Sequence, residues 1–272
     1  MGSAGQVYVS SDGDIWTKQT LGTFQTLNDI GFSKERFQIV GNGVHYTSTD
    51  GSTWVNNSST FSNTPFLKRL GNFGSFSVAF GSSNLYSATD GLNYVSGSNL
   101  SISNTASTSD ISYLGSASSS TRMILVGGNS RTNTGLVLSG TTFITSLSFS
   151  SSAVTGITSA KPFYSVAYNN NYFVAVGDSG IIYYSRDGNT WSEATSGVSK
   201  TIRSIIFANN QFVAVGDFGS VLFSSDGINW TTKSLGSFTG LMSVAYGSGK
   251  LVGVAENLIL VSSDNGETWV SK

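Results

Sequence analysis

Cysteine is absent from this 272-residue chain, so no disulfide, thiol nucleophile or cysteine-based zinc site can form. Proline occurs twice, as Pro65 and Pro162, and histidine once, as His45. Charge is scarce as well: Asp, Glu, Lys and Arg make up 11% of the residues, with a net charge of −1. That balance gives no electrostatic basis for binding nucleic acid or an anionic membrane surface. No apolar run approaches the roughly 18 residues of a membrane helix. Leu251 to Val261 comes nearest and Glu256 interrupts it. The opening Met1-Gly2-Ser3-Ala4-Gly5 has neither a basic segment nor an apolar run. It reads as a disordered or non-native leader rather than a signal peptide. Helical periodicity is missing throughout.

What is present is glycine (32 residues) and aromatic side chains (17 Phe, 11 Tyr and 5 Trp) in a chain that is 39% hydrophobic. This is enough to build a core and argues against disorder. Many glycines with few prolines suit tight turns between strands that need their backbone N–H groups.

One stretch recurs. Ser224-Ser225-Asp226-Gly227-Ile228-Asn229-Trp230 has the form Ser-x-Asp-Gly-x-x-Trp, as do Ser10 to Trp16, Ser48 to Trp54 and Ser185 to Trp191. A form one residue longer runs from Ser262 to Trp269, and Ala88 to Tyr94 is a weaker copy. Ser139 to Phe143 has lost the Asp. The aromatic positions 16, 54, 94, 143, 191, 230 and 269 are 38, 40, 49, 48, 39 and 39 residues apart. That period is the signature of a propeller of small four-stranded sheets.

The fifth unit shows the grammar. Strand A, Ile202 to Phe207, turns at Ala208-Asn209-Asn210 into strand B, Gln211 to Gly216. Asp217-Phe218-Gly219 leads to strand C, Ser220 to Ser224, and Ser225-Asp226-Gly227 to strand D, Ile228 to Thr231. Short β-branched and aromatic runs bounded by Asn, Asp and Gly are antiparallel strands. Complete units begin near Leu27, Phe66, Asp110, Phe163, Ile202 and Leu241, and Gln6 to Lys18 supplies only a C–D hairpin. The expected fold is an all-β propeller occupying residues 1–272 as one domain, with six complete units plus an N-terminal C–D half unit. Six or seven blades are both compatible with this count: seven would lack one A–B pair, and six would have a hairpin to spare. A missing upstream segment or a neighbouring subunit would resolve the mismatch. Ser96 to Asp110 and Thr145 to Ala160 read as Ser/Thr-rich surface loops.

The motif has a mechanical reading. Asp accepts backbone N–H bonds in the C–D turn, Gly tolerates positive φ, and the aromatic wedges between sheets. Asp12, Asp50, Asp90, Asp187, Asp226 and Asp264 are therefore expected to brace turns, with Trp16, Trp54, Tyr94, Trp191, Trp230 and Trp269 as wedges. The pattern resembles the Asp-box (BNR) repeat, Ser-x-Asp-x-Gly-x-Thr-Trp, which Ser262 to Trp269 matches at every fixed position. The resemblance implies a sialidase-like propeller fold but no single activity. Such propellers include sialidases, xyloglucan-degrading enzymes, sorting receptors and photosystem II assembly factors.

A binding site is expected on the face that carries the B–C and D–A loops. Asp178, Asp217 and Glu256 hold equivalent B–C positions there, Asn42 and Asn129 in earlier units, with Phe218 beside Asp217. This acidic arc is the candidate ligand site, against the plainer reading of Gly-Asp-x-Gly as a good turn. Catalysis has little support. A sialidase needs an arginine triad, and its Arg-Ile-Pro element is absent. Arg186 falls in a motif turn, while Arg36, Arg69 and Arg203 sit in or beside A–B elements; Arg122 and Arg131 complete the set. A glycosidase needs two carboxyls about 5 to 10 Å apart. Of four Glu, Glu35, Glu193 and Glu267 are elsewhere, which leaves only Glu256 with Asp217. His45 has no nucleophile elbow. The expectation is a non-catalytic module without cofactor or metal. Its Ser/Thr/Asn/Gly-rich surface is similar to that of phage virion and tail-fibre proteins, which implies a virion or extracellular location. Partners would be other protein subunits or a host-surface glycan, with homo-oligomers as one way to close the ring. Units such as Phe173 to Gly177 with Ile181 to Ser185 are similar to assembly-factor repeats, which implies docking of a protein. Exposed Phe61, Phe218 and Phe238 would suit a binder.

Overall fold

A computed structural model of the chain describes residues 2, 4–61, 65–73, 76–81, 85–96, 102–103, 111–129, 131–143, 146–150, 154–236 and 240–272. Apart from three short 3-10 turns, the regular structure of these residues is all strand. It opens with a hairpin of β1 (Gln6–Val9) and β2 (Thr17–Thr20). The first blade holds β3 (Leu27–Ser33), β4 (Arg36–Gly41), β5 (His45–Ser48) and β6 (Val55–Asn56). The second holds β7 (Leu67–Phe73), β8 (Phe76–Gly81), β9 (Leu85–Ala88) and β10 (Val95–Ser96). The third has five strands, β11 (Ile102–Ser103), β12 (Ile111–Ser118), β13 (Met123–Asn129), β14 (Thr134–Phe143) and β15 (Ser146–Ser150). The fourth holds β16 (Phe163–Tyr168), β17 (Phe173–Gly177), β18 (Ile182–Ser185) and β19 (Ser192–Ala194). The fifth holds β20 (Ile202–Ala208), β21 (Gln211–Gly216), β22 (Ser220–Ser224) and β23 (Thr231–Ser234). The sixth holds β24 (Ser243–Gly247), β25 (Lys250–Val254), β26 (Ile259–Ser262) and β27 (Val270–Ser271).

Each blade contains an antiparallel A–B–C–D meander, and consecutive A strands pack in order: β3 on β7, β7 on β12, β12 on β16, β16 on β20 and β20 on β24. The result is a six-bladed all-β propeller with the N-terminal hairpin as a separate two-stranded sheet. The core lies between blades. Val213, Val215 and Val221 of the fifth, for example, pack on Leu241, Val244, Leu251 and Leu260 of the sixth. Each such aliphatic side chain contributes about 1.5–3 kcal/mol on full burial. Hydrogen bonds reinforce the blade order: Asp29 accepts from the Leu70 N–H, Ser165 from Ile205 and Ser204 from Val244.

The motif turns follow their chemistry. In the Ser224 to Trp230 copy, Ser224 donates to Asp226 at 3.0 Å and accepts from the Gly227 N–H at 2.8 Å. The Asp226 carboxylate accepts the N–H groups of Ile228 and Asn229, both at 2.8 Å, and the Trp230 indole donates to the Gly227 carbonyl at 3.2 Å. Asp12, Asp50, Asp90 and Asp187 each accept two backbone N–H bonds in the same way, and Asp264 accepts from Thr268. Burial raises the carboxyl pKa of Asp226, but these donors outweigh it and hold the value near about 2.

The third blade differs from the expectation. Without the Asp-Gly pair nothing turns the chain at Gly140, so strand C continues as β14 to Phe143, and strand D is β15, inside the stretch expected to be a loop. β11 then adds in parallel to β15, within the other expected loop. Of these two stretches, 97–101, 104–110, 145 and 151–153 lie outside the described residues, as does Phe238. Phe61, expected to be exposed, is buried against Tyr86, Tyr94 and His45, because the chain after the 3-10 turn Ser58–Thr60 folds it onto the second blade. In the opening segment, the Gly2 carbonyl accepts from the Leu27 N–H and the Gly5 carbonyl from Leu21.

Candidate partner-binding face

The B–C turns and the segments leading into strand A meet on one face through a repeated bond. The Asp178 N–H donates to the Pro162 carbonyl at 3.0 Å, Asp217 to Thr201 at 2.9 Å and Asn42 to Thr26 at 3.1 Å. This approach is possible because strand B ends in glycine. A Cβ on Gly177 or Gly216 would lie 2.3 or 2.1 Å from the carbonyl oxygens of Pro162 and Thr201. Each glycine is followed by a tight 3-10 turn, Asp178–Gly180 or Asp217–Gly219.

Asp178 and Asp217 occupy matching positions, but neither is a bare acid. Arg203 grips Asp217 through Nε at 2.5 Å and Nη2 at 3.1 Å. That bond raises the Arg203 pKa further, against the opposing effect of its partial burial. Asp178 accepts from Thr201 Oγ1 at 3.0 Å and Ser179 Oγ at 3.1 Å, with Lys161 Nζ at 3.7 Å. Burial pushes its pKa up, and these donors with Lys161 outweigh that and bring it below the usual value. Tyr164 lies within the field of both: burial raises its hydroxyl pKa, Asp178 and Asp217 raise it further, and Arg203 opposes them.

Phe218 sits at the turn apex, 66% exposed, with φ +58. A left-handed backbone at a bulky residue costs about 1–2 kcal/mol. Lys200 Nζ lies 4.5 Å from the ring centroid, in cation–π range. A shallow depression beside the Asp178 turn is lined by Ser179, Glu193 and Ser196 to Ser199.

Glu256 does not complete the arc. The position that is glycine in the fourth and fifth blades is Ala255 in the sixth, whose Cβ could not enter the close approach. The turn closes as in the first blade, where the Gly41 N–H bonds the Val44 carbonyl, here by an Ala255 N–H bond to the Leu258 carbonyl, and Glu256 is left exposed. Among the described residues no hydrogen bond or ion pair links it to Asp178 or Asp217. The asparagines of earlier units are structural: Asn28 donates to Asn42, and Asn129 braces its own turn through Arg131 and Thr132.

The arginines are dispersed. Arg69 bonds the carbonyls of Asn28 and Lys68, Arg122 bonds Ser139 and Asn189, and Arg186 bonds Tyr172. His45 is fully buried, edge-on to Phe61 and Tyr94, and among the described residues neither ring nitrogen has a hydrogen-bond partner. Burial depresses its pKa to about 4. No group of three or more His, Asp or Glu is placed to hold a metal among the described residues. Sequence reasoning missed Lys161, Tyr164, Lys200 and Thr201. Their signal was position: each flanks the start of a strand A, on the face shared with the B–C turns.

A family model described as the DUF6242 beta propeller domain matches residues 165–272. None of the curated proteins matches the chain. Among solved structures, "YCF48 bound to D1 peptide" superposes with a TM-score of 0.66 at 16% identity, covering 98% of this chain and 84% of that one. YCF48 from Cyanidioschyzon merolae gives 0.67 at 16% identity, with 96% and 88% covered. The WD40 beta propeller domain of Doa1 gives 0.67 at 14% identity, with 99% and 90% covered. At these identities the likenesses show the fold: the chain is built as a β-propeller, and residues 165–272 match the DUF6242 propeller model.

Proposed function

We propose that the chain is a non-catalytic propeller that docks a polypeptide partner on the face carrying Phe218. The observation that carries this is Phe218 itself, an exposed aromatic ring held on a strained backbone beside the Arg203–Asp217 pair. Strain retained at an exposed apolar residue points to use of that residue, and aromatic side chains with arginine are favoured interface anchors. The peptide-bound YCF48 likeness supports the same class of partner. A glycosidase would need Asp217 free to act on the glycosidic bond as acid, base or nucleophile opposite Glu256, and Arg203 occupies it instead. The charge-poor, Ser/Thr/Asn-rich composition further supports a place in a larger assembly, of virion or other extracellular type, where the partner is a neighbouring subunit.

The test compares the protein with its Phe218→Asn variant for retention of candidate assembly proteins and on a glycan array. Asparagine tolerates positive φ, so the variant should gain about 1 kcal/mol of stability while losing partner retention at least tenfold. Cleavage of any glycan would overturn the non-catalytic reading. Glycan retention lost with Phe218→Asn would move the partner to host-surface carbohydrate.

A further inference from the structure

The N-terminal hairpin follows the sixth blade as every blade follows the one before it. In three complete blades a Cβ on the motif glycine would meet the preceding strand B or its flank: Gly91 meets Gln38, Gly188 meets Arg122 and Ile124, and Gly227 meets Val174. Gly13 of the hairpin meets Lys250, at the start of β25 in the sixth blade. Asp14 fixes this placement by ion pairs to Lys250 and Lys272. The hairpin therefore holds the C and D positions of a seventh blade whose A and B strands are not among the described residues. β1 pairs with β2 on one edge only.

Three surfaces that complete blades bury are open around this gap. On strand C, Tyr8 is 43% exposed, whereas its equivalents Tyr46, Tyr86, Tyr183, Leu222 and Leu260 are at 4, 4, 0, 0 and 2%. On the first blade, Ile30 is 41% exposed against 4, 3 and 4% for Val166, Ile205 and Val244, and Phe32 lies open beside it. On the sixth blade, Val252, Val254 and Ile259 are only partly buried, whereas Val213, Val215 and Val221 of the fifth are fully buried. The inner strands β3 and β24 lack the extensive packing that joins the other neighbouring A strands among the described residues. The hydroxyl of Ser243, equivalent to the interblade acceptors Ser165 and Ser204, is exposed and bonds to nothing among the described residues.

We infer that this slot receives an antiparallel β-hairpin with apolar faces donated by a partner polypeptide, which completes a seventh blade by pairing with β1. The six complete blades define the occupant: two strands of five to eight residues, the second carrying apolar residues toward both neighbours, as Phe212 and Ala214 face the fourth blade and Val213 and Val215 the sixth. The walls are apolar, and the charges at the rim, Asp14 with Lys250 and Lys272, already satisfy one another, so no charge is required of the guest. Exposed strand edges are the natural site for such addition. The register is fixed by the fifth blade, where Val213, Ala214 and Val215 face Phe223, Leu222 and Val221. The guest residues equivalent to these would face Val9, Tyr8 and Val7.

The test uses the whole protein and a synthetic peptide of residues 202–216, the A–B hairpin of the fifth blade. Hydrogen exchange of the Gln6–Val9, β3 and β24 amides should slow saturably with peptide, and the Tm should rise. Tyr8→Lys places a charge where complete blades bury Tyr or Leu. It should leave the Tm of the free protein unchanged and weaken peptide uptake at least tenfold. Phe218→Asn should leave uptake untouched, which separates this slot from the Phe218 face. Three results would overturn the inference: exchange at 6–9 unaffected by saturating peptide, these amides already protected in a monomer, or their protection appearing with dimerisation, which would make a second copy the occupant.

Discussion

His45 shows how one residue can set the pH response of an otherwise neutral protein. Its imidazole is enclosed by Phe61 and Tyr94 with neither nitrogen closely hydrogen-bonded among the described residues, and burial depresses its pKa from 6.5 to about 4 against the opposing effect of the Asn57 backbone. Between those values the unfolded chain binds a proton that the folded chain excludes. The stability contributed by neutral His45 is therefore complete above about pH 6.5 and declines as pH falls toward about 4, by about 3 kcal/mol in all. His45→Leu should remove that slope and add about 1 kcal/mol at neutral pH by eliminating two unsatisfied buried nitrogens. Urea denaturation from pH 4 to 7 measures both. The motif carboxylates act in a lower window: the pKa of Asp226, about 2, keeps its stabilising contribution above its ordinary value of 3.8 and loses it as pH falls through about 2. The two effects are separable by pH.

At the scale of a strand and its turn, the glycine closing strand B is the controlling residue. Gly216 brings its backbone against the Thr201 carbonyl and so delivers Asp217 to Arg203. Gly216→Ala should destabilise the protein by about 1–3 kcal/mol through forced backbone displacement and loosen the Asp217–Arg203 pair. Guanidinium unfolding and the salt dependence of stability would read the two effects. The sixth blade is the natural comparison, since Ala255 occupies this position and the Glu256 turn takes another form. Equivalence along a repeat, legible as Asp178, Asp217 and Glu256, thus broke where glycine gives way to Ala255 and the turn is one residue shorter. The third blade makes the same point for the C–D turn: loss of Asp-Gly moved the reversal from Gly140 to beyond Phe143.

For the whole molecule, closure is the open issue. The hairpin of β1 and β2 is held to the sixth blade by Asp14 with Lys250 and Lys272, and to the first by Val7 packing on Leu27, Ile39 and Tyr46. The Trp54 indole, which in four other motifs bonds its own glycine carbonyl, reaches across to Gln19. Asp14→Ala should speed hydrogen exchange throughout residues 6–20 while leaving the fourth and fifth blades protected, and high salt should reproduce the effect in the unaltered protein because the pairs are exposed. If exchange in the hairpin did not change, its seat would rest on its contacts with the first blade, Val7 in the core and Gln19 with Trp54.

Local chemistry determined what the sequence could disclose. The repeat period, the strand grammar, the Asp-braced turns and the surplus half unit all depend on residues within a few positions of one another, and they were readable as such. The tertiary structure decided everything that depends on which distant side chain arrives at a given atom. Arg203 turned Asp217 from a free acid into half of an ion pair, and Phe61 was carried beneath the second blade. Tyr8 was left uncovered where five equivalent residues are buried. A turn is fixed by bonds within its own segment; pairing and burial are fixed by the neighbouring blade, whose residues lie about 40 positions away in the chain.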